Sequence, residues 1–90
     1  MDRYKLLRGY KMKIIVFTSS NCPSCVKLCK ELEQNNVKFE KVNVENDAQM
    51  SEYLEIPIGG LPTTIAFNNE QIYRMWVGFS NGILREIKGL

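Results

Sequence analysis

Three cysteines, Cys22, Cys25 and Cys29, stand in a chain of 90 residues that contains no histidine. The missing histidine removes Cys–His and Ser–His–Asp catalysis and His-ligated zinc in one step. For Cys22-Pro23-Ser24-Cys25 that leaves thiol–disulfide exchange or a metal site. A metal or iron–sulfur centre would need further ligands from a partner or a second subunit, whereas redox exchange needs only the two thiols. A plain structural pair is the third reading.

The residues around the pair favour redox chemistry. Proline is preferred at the first helical position, where its missing N–H would have had no partner. Pro23 therefore places Cys22 at a helix N-cap, with free backbone N–H groups and the positive end of the helix dipole at its sulfur. An ordinary cysteine is only about 3% thiolate at pH 7. The dipole contributes up to ~2 kcal/mol, or about 1.5 pKa units, so Cys22 needs no basic side chain to approach neutrality. Cys25, at the third helical position on the inward face, is expected to keep a higher pKa. Cys22 then attacks a substrate disulfide and Cys25 resolves the mixed disulfide. Cys29, one turn further along the same face, reads as a buried core cysteine. Its alternative is a third redox thiol, forming an off-pathway disulfide or a glutathione adduct.

The elements that must hold these residues follow from periodicity. Ile14-Ile15-Val16-Phe17 is a β-branched apolar run that suits a strand buried on both faces. Thr18-Ser19-Ser20-Asn21 breaks it. From Pro23 to about Asn35 the residues Cys25, Leu28, Cys29 and Leu32 form one helical stripe. Residues 37–44 read as a second strand, through Val37, Phe39, Val42 and Val44. Asn46 or Asp47 caps a short helix over roughly 47–54. Residues 56–62, with two prolines and Gly59-Gly60, form a loop. Residues 63–67 and 71–77 are strands joined by a tight turn at Asn68-Asn69-Glu70. Ser80 caps a last helix that carries Ile83, Leu84 and Ile87 and ends at Gly89. The order β-α-β-α-β-β-α predicts an α/β fold: a four-stranded mixed sheet flanked by three helices. Trp76 reads as a strand residue covering the core or the edge of the site, or else as part of a docking patch with Phe79 and Leu61.

Composition sets the outer limits. Ninety residues make one domain, 44% hydrophobic as in ordinary globular chains. The net charge of +2 is too small to point to nucleic acid. Of the twelve basic and ten acidic residues, Arg3, Lys5, Arg8, Lys11 and Asp2 lie in the first eleven positions, which leaves eight basic and nine acidic in the rest. Met12 looks like a natural domain start, so residues 1–11 are expected to be a dispensable basic extension and 12–90 the redox domain. Deleting 1–11 should leave stability and activity unchanged. No apolar run approaches a membrane span or a secretory signal, and three cysteines do not make a disulfide framework. The expectation is a cytoplasmic monomer with no membrane or nucleic-acid partner.

With strand, Cys-Pro-x-Cys and helix in place, Leu61-Pro62-Thr63 before a strand and Trp76-Val77-Gly78-Phe79 before the last helix, the chain resembles the glutaredoxins and glutaredoxin-like redoxins of the thioredoxin superfamily. The resemblance runs from Met12 to the C-terminus. It implies the thioredoxin fold, a catalytic pair Cys22 and Cys25 supported by Pro23, Ser24 and Pro62, and a cis peptide bond before Pro62. It implies that the backbone of Leu61 pairs with an extended substrate segment, with Thr63, Ser19, Gly78, Phe79 and Ser80 completing a substrate or glutathione site. No bound cofactor is implied, only reducing equivalents.

Their source is set by two departures from the family. Glutaredoxins that use glutathione commonly carry a lysine where this chain has Ser19, and a Gly-Gly pair followed by an acid where it has Gly78-Phe79-Ser80-Asn81. Trp76-Val77-Gly78-Phe79 is more like the glutaredoxin-like hydrogen donors of ribonucleotide reductase, which take electrons from thioredoxin reductase and NADPH. The expected partners are therefore disulfide-containing proteins and thioredoxin reductase. The alternatives are a glutathione-dependent glutaredoxin and, ranked lower, an iron–sulfur carrier dimer.

Overall fold

A computed structural model describes residues 12–90; the expectation that residues 1–11 are dispensable lies outside the described residues. Strand β1 spans Met12–Thr18, helix α1 Pro23–Gln34, strand β2 Glu40–Asn43, helix α2 Asp47–Met50, strands β3 Thr63–Asn68 and β4 Gln71–Val77, and helix α3 Asn81–Lys88. The sheet order is β2-β1-β3-β4. β1 and β2 are parallel, and the β1–β3 and β3–β4 pairs are antiparallel. This is the mixed four-stranded sheet with three helices expected from the sequence, and it is the thioredoxin fold.

Alternation along the central strands explains the two-sided core. Ile14 and Val16 of β1, with Ala66 of β3, face Leu28, Cys29 and Leu32 of α1 and Ile87 of α3. Ile15 and Phe17, with Ile65, face the other way and pack with Val42, Tyr53 and Ile56. The Phe17 and Tyr53 rings meet edge to face at 5.4 Å. Fully burying a Leu or Phe side chain contributes about 1.5–3 kcal/mol. A continuous apolar run at the chain's start thus becomes its structural centre.

Two boundaries differ from the sequence expectation by three residues or more. Strand β2 begins at Glu40 instead of Val37, because the preceding residues close helix α1. Asn36 turns left-handed with φ of 59°, and the Val37 N–H donates to the Leu32 carbonyl at 2.9 Å. Val37 and Phe39 still pack onto the α1 face of the sheet, so their apolar spacing is satisfied without a strand. Helix α2 stops at Met50, where 54 was expected. Beyond it, i→i+3 turns from Tyr53 to the Met50 carbonyl and from Ile56 to the Tyr53 carbonyl carry these two side chains into the core. Ile56 precedes a proline and is biased away from helix.

The remaining ends lie within two residues of the sequence expectation. Asn69 adopts φ of 61° in the β3–β4 turn, a conformation asparagine tolerates. Ser80 caps α3 by accepting from the Ile83 N–H at 3.1 Å. Among the described residues no helix is long and apolar enough to cross a membrane.

Candidate active site

The chain leaves the buried strand β1 at Thr18 and enters helix α1 at Pro23, so Cys22 is fixed by what lies on each side of it. Pro23 occupies the first turn of α1 and Cys22 is the N-cap, in extended conformation (φ −137°, ψ 93°). The Cys22 sulfur accepts from the Cys25 N–H at 3.2 Å, and Ser24 Oγ lies 3.6 Å from it. No acidic side chain stands in the first turn of α1 to oppose negative charge on that sulfur. Cys22 is half-buried and Cys25 is 2% exposed. The two are joined as a disulfide with 5.2 Å between their Cα atoms, within the range such a bridge spans. This is the oxidised form, and its sulfurs stand for the thiolate and thiol of the reduced pair.

The other residues singled out in the sequence fall at the same end of the sheet. Thr63, at the start of β3, pairs with Phe17 near the end of β1, and Val77 at the end of β4 pairs with Thr63. Leu61 and Pro62 therefore enter the sheet where Ser19 and Gly78 leave it. The Leu61–Pro62 bond is cis. The Gly78 N–H donates to the Pro62 carbonyl at 2.7 Å, tying the two loops together, and the buried Thr63 hydroxyl donates to the Gly60 carbonyl.

Phe79 packs on the α1–α3 side of the sheet under the Lys27 ammonium, 5.5 Å above its ring. Leu61 belongs to the core on the opposite face. Trp76 is buried with the α1–α3 core, and its indole N–H donates to Glu86 Oε1 at 2.8 Å. Of its two readings the structure takes the core one. Phe79 packs against the same cluster as Trp76, but Leu61 lies on the other face of the sheet, so the three do not form one patch.

Ser19 lies towards β2 and lines a shallow groove of about 310 Å³ with Cys25, Cys29, Lys30 and Lys41. Cys29 is buried and free. Burial pushes its thiol pKa up, the Lys41 ammonium pulls it down and Glu33 pushes it up again. Among the described residues no group of three or more His, Cys, Asp or Glu side chains could hold a metal ion.

Sequence reasoning missed one contact beside the pair. Glu45, in the loop between β2 and α2, takes two hydrogen bonds on one oxygen: the Ser20 hydroxyl at 2.8 Å and the Ser20 N–H at 3.2 Å. Both bonds hold the exposed Glu45 carboxyl below the usual carboxylate range. The available signal was topological: parallel β1 and β2 must end side by side, so the loops that follow them are neighbours.

Comparison with known proteins bears on this geometry. A family model described as Glutaredoxin matches residues 14–64, more than half of the chain. No curated protein matches it. Among solved structures, the thioredoxin of Fasciola hepatica is 21% identical, covering 98% of this chain and 89% of its own with a TM-score of 0.70. The thioredoxin of Malassezia sympodialis is 25% identical, covering 98% and 82%, with a TM-score of 0.69. The oxidised thioredoxin of Plasmodium falciparum is 17% identical, covering 99% and 89%, with a TM-score of 0.71. At 21% and 17% identity the likeness is one of fold.

Proposed function

Since the chain belongs to the glutaredoxin family and is a thiol–disulfide oxidoreductase, we propose that it reduces protein disulfides by dithiol exchange at Cys22 and Cys25, with electrons from thioredoxin reductase and NADPH. The observation that carries the exchange is the Cys22 sulfur at the N-cap of α1, accepting from the Cys25 N–H. A group in that place is stabilised as an anion by the N–H groups and the helix dipole.

The steps balance as follows. The Cys22 thiolate attacks one sulfur of a substrate disulfide and forms a mixed disulfide, and the other substrate sulfur leaves as a thiolate and takes up a proton. The Cys25 thiol, after losing its proton, attacks the Cys22 sulfur and expels the second substrate thiolate. The substrate has gained two electrons and the protein is left with its Cys22–Cys25 disulfide, which two electrons from the reductase reopen. The Leu61 backbone and the Pro62 loop offer an extended surface beside the pair for the substrate segment. Gly78, Phe79 and Ser80 shape its rim, and the buried Thr63 supports the loop from beneath through the Gly60 carbonyl.

Thioredoxin reductase is favoured as donor by Ser19, which offers no cation to a glutathione carboxylate, and by the absence of an acid in Gly78-Phe79-Ser80-Asn81. Ribonucleotide reductase is the type of client this coupling suits. Membership of the glutaredoxin family favours a second reading, glutathione as reductant. The oxidised protein is offered glutathione and, separately, NADPH with thioredoxin reductase, and free thiols are counted. Rapid reduction by the reductase alone is expected. Rapid reduction by glutathione alone would overturn the reductase reading in favour of the second.

A further inference from the structure

We propose that Glu45 is a positioning residue for the reaction at Cys22, acting through Ser20. Ser20 stands two residues before Cys22 in the short connection between β1 and α1. Both of its donors, the hydroxyl and the N–H, end on a single carboxylate oxygen of Glu45 (2.8 and 3.2 Å), 25 residues away in sequence. Glu45 is itself held. Its N–H donates to Asn43 Oδ1 at 2.8 Å, the Asn43 N–H donates to Gln49 Oε1 at 2.6 Å, and the Gln49 N–H donates to Asn46 Oδ1 at 3.0 Å. The Val44 N–H, one residue before Glu45, donates to the Thr18 carbonyl at 2.8 Å. The connection that presents Cys22 is thus anchored at Thr18 by backbone, at Ser20 by Glu45 and at Pro23 by the helix.

Ser20 is the middle anchor and the only one of the three made by a side chain from another loop. A carboxylate accepting two hydrogen bonds makes charge-assisted, roughly twofold stronger contacts than a neutral acceptor. Holding a nucleophile in its reactive geometry acts on rate more than on fold. Ser20 and Glu45 are both exposed, so their loss leaves the core intact.

The inference rests on Cys22 being the attacking thiol, and the experiment separates the two claims. Reduced wild-type protein is treated with iodoacetamide across pH, the alkylated thiol is identified by mass spectrometry, and the rate of insulin disulfide reduction is measured under saturating reductant. The same is done for Glu45→Ala, Glu45→Gln, Ser20→Ala and the double variant Glu45→Ala/Ser20→Ala. If the wild-type label falls elsewhere than on Cys22, the functional reading fails and this inference with it. With the label on Cys22, Glu45→Ala is expected to slow insulin reduction about fivefold, the loss expected for one net hydrogen bond. Ser20→Ala should slow it less, and the double variant no more than Glu45→Ala alone. Glu45→Gln keeps a neutral acceptor oxygen and should recover part of the rate, falling between Glu45→Ala and the wild type. Any influence of the Glu45 charge on the Cys22 pKa is common to the Ala and Gln variants, so the alkylation pH profile should move equally in both. Wild-type rates in Glu45→Ala, or equal loss in the Ala and Gln variants, would overturn the proposal.

Discussion

At the scale of single residues, the division of labour between the cysteines follows from where each sulfur sits. Cys22 caps a helix and is half-buried, Cys25 is closed off behind it, and Cys29 is a core side chain. Cys22→Ser should reduce insulin turnover to background, whereas Cys25→Ser should still attack a disulfide but release product slowly. Cys29 offers a separate test through its raised pKa, caused first by burial. In the folded chain its thiol ionises at higher pH than in the unfolded chain, where ionisation sets in near pH 8.5. Its contribution to stability is therefore complete below that value and is lost as pH rises through the folded pKa. Cys29→Ala should cost about 1 kcal/mol at pH 7 by leaving a small void. Urea unfolding at pH 7 and pH 10 should show a smaller alkaline loss in that variant than in the wild type. The positions of Cys22 and Pro23 were legible in the sequence because proline's preference for the first turn is local. The bond from Ser20 to Glu45 was not, since only the parallel pairing of β1 with β2 brings them together.

At the scale of elements, the site depends on strand ends more than on helix faces. Gly78 ends β4 with φ of 90°, nothing lies within 4 Å of the place a Cβ would occupy, and its N–H holds the Pro62 carbonyl. The barrier to substitution there is backbone conformation, not space. Gly78→Ala should destabilise the fold by about 1–2 kcal/mol in thermal or urea unfolding and slow disulfide reduction through the Pro62 loop. Helix α1 was readable from Cys25, Leu28, Cys29 and Leu32, all of which are buried. Strand β2 was read too long because Val37 and Phe39 alternate as a strand does. Their burial comes instead from chain packed down after the turn at Asn36. Alternation reports burial, and only the hydrogen bonds decide between strand and packed coil.

At the scale of the whole molecule, the order of elements alone gathers the chemistry. The end of β1, the start of β3 and the end of β4 share one edge through Phe17, Thr63 and Val77, and α1 and α3 both begin there. The hairpin at Asn68–Gln71 lies at the other end, opposite Met12. Reducing the Cys22–Cys25 disulfide should therefore shift backbone amide resonances in residues 18–26, 60–63 and 77–81 and leave those of 67–72 in place. Large shifts in the hairpin would mean that reduction rearranges the sheet. The element order and the mixed sheet were legible in the sequence, because the apolar run, the helical stripe and the turn of asparagines are local signals. The antiparallel pairing of β1 with β3 that brings these strand ends together is a long-range contact that no local pattern carries.

The most direct test of exchange at Cys22 is to mix reduced Cys25→Ser protein with an excess of a disulfide-bonded protein such as insulin and map the trapped species by mass spectrometry. The expected result is a single covalent adduct through Cys22, released by added dithiol. An adduct through Cys29, or none at all from a folded variant, would contradict it.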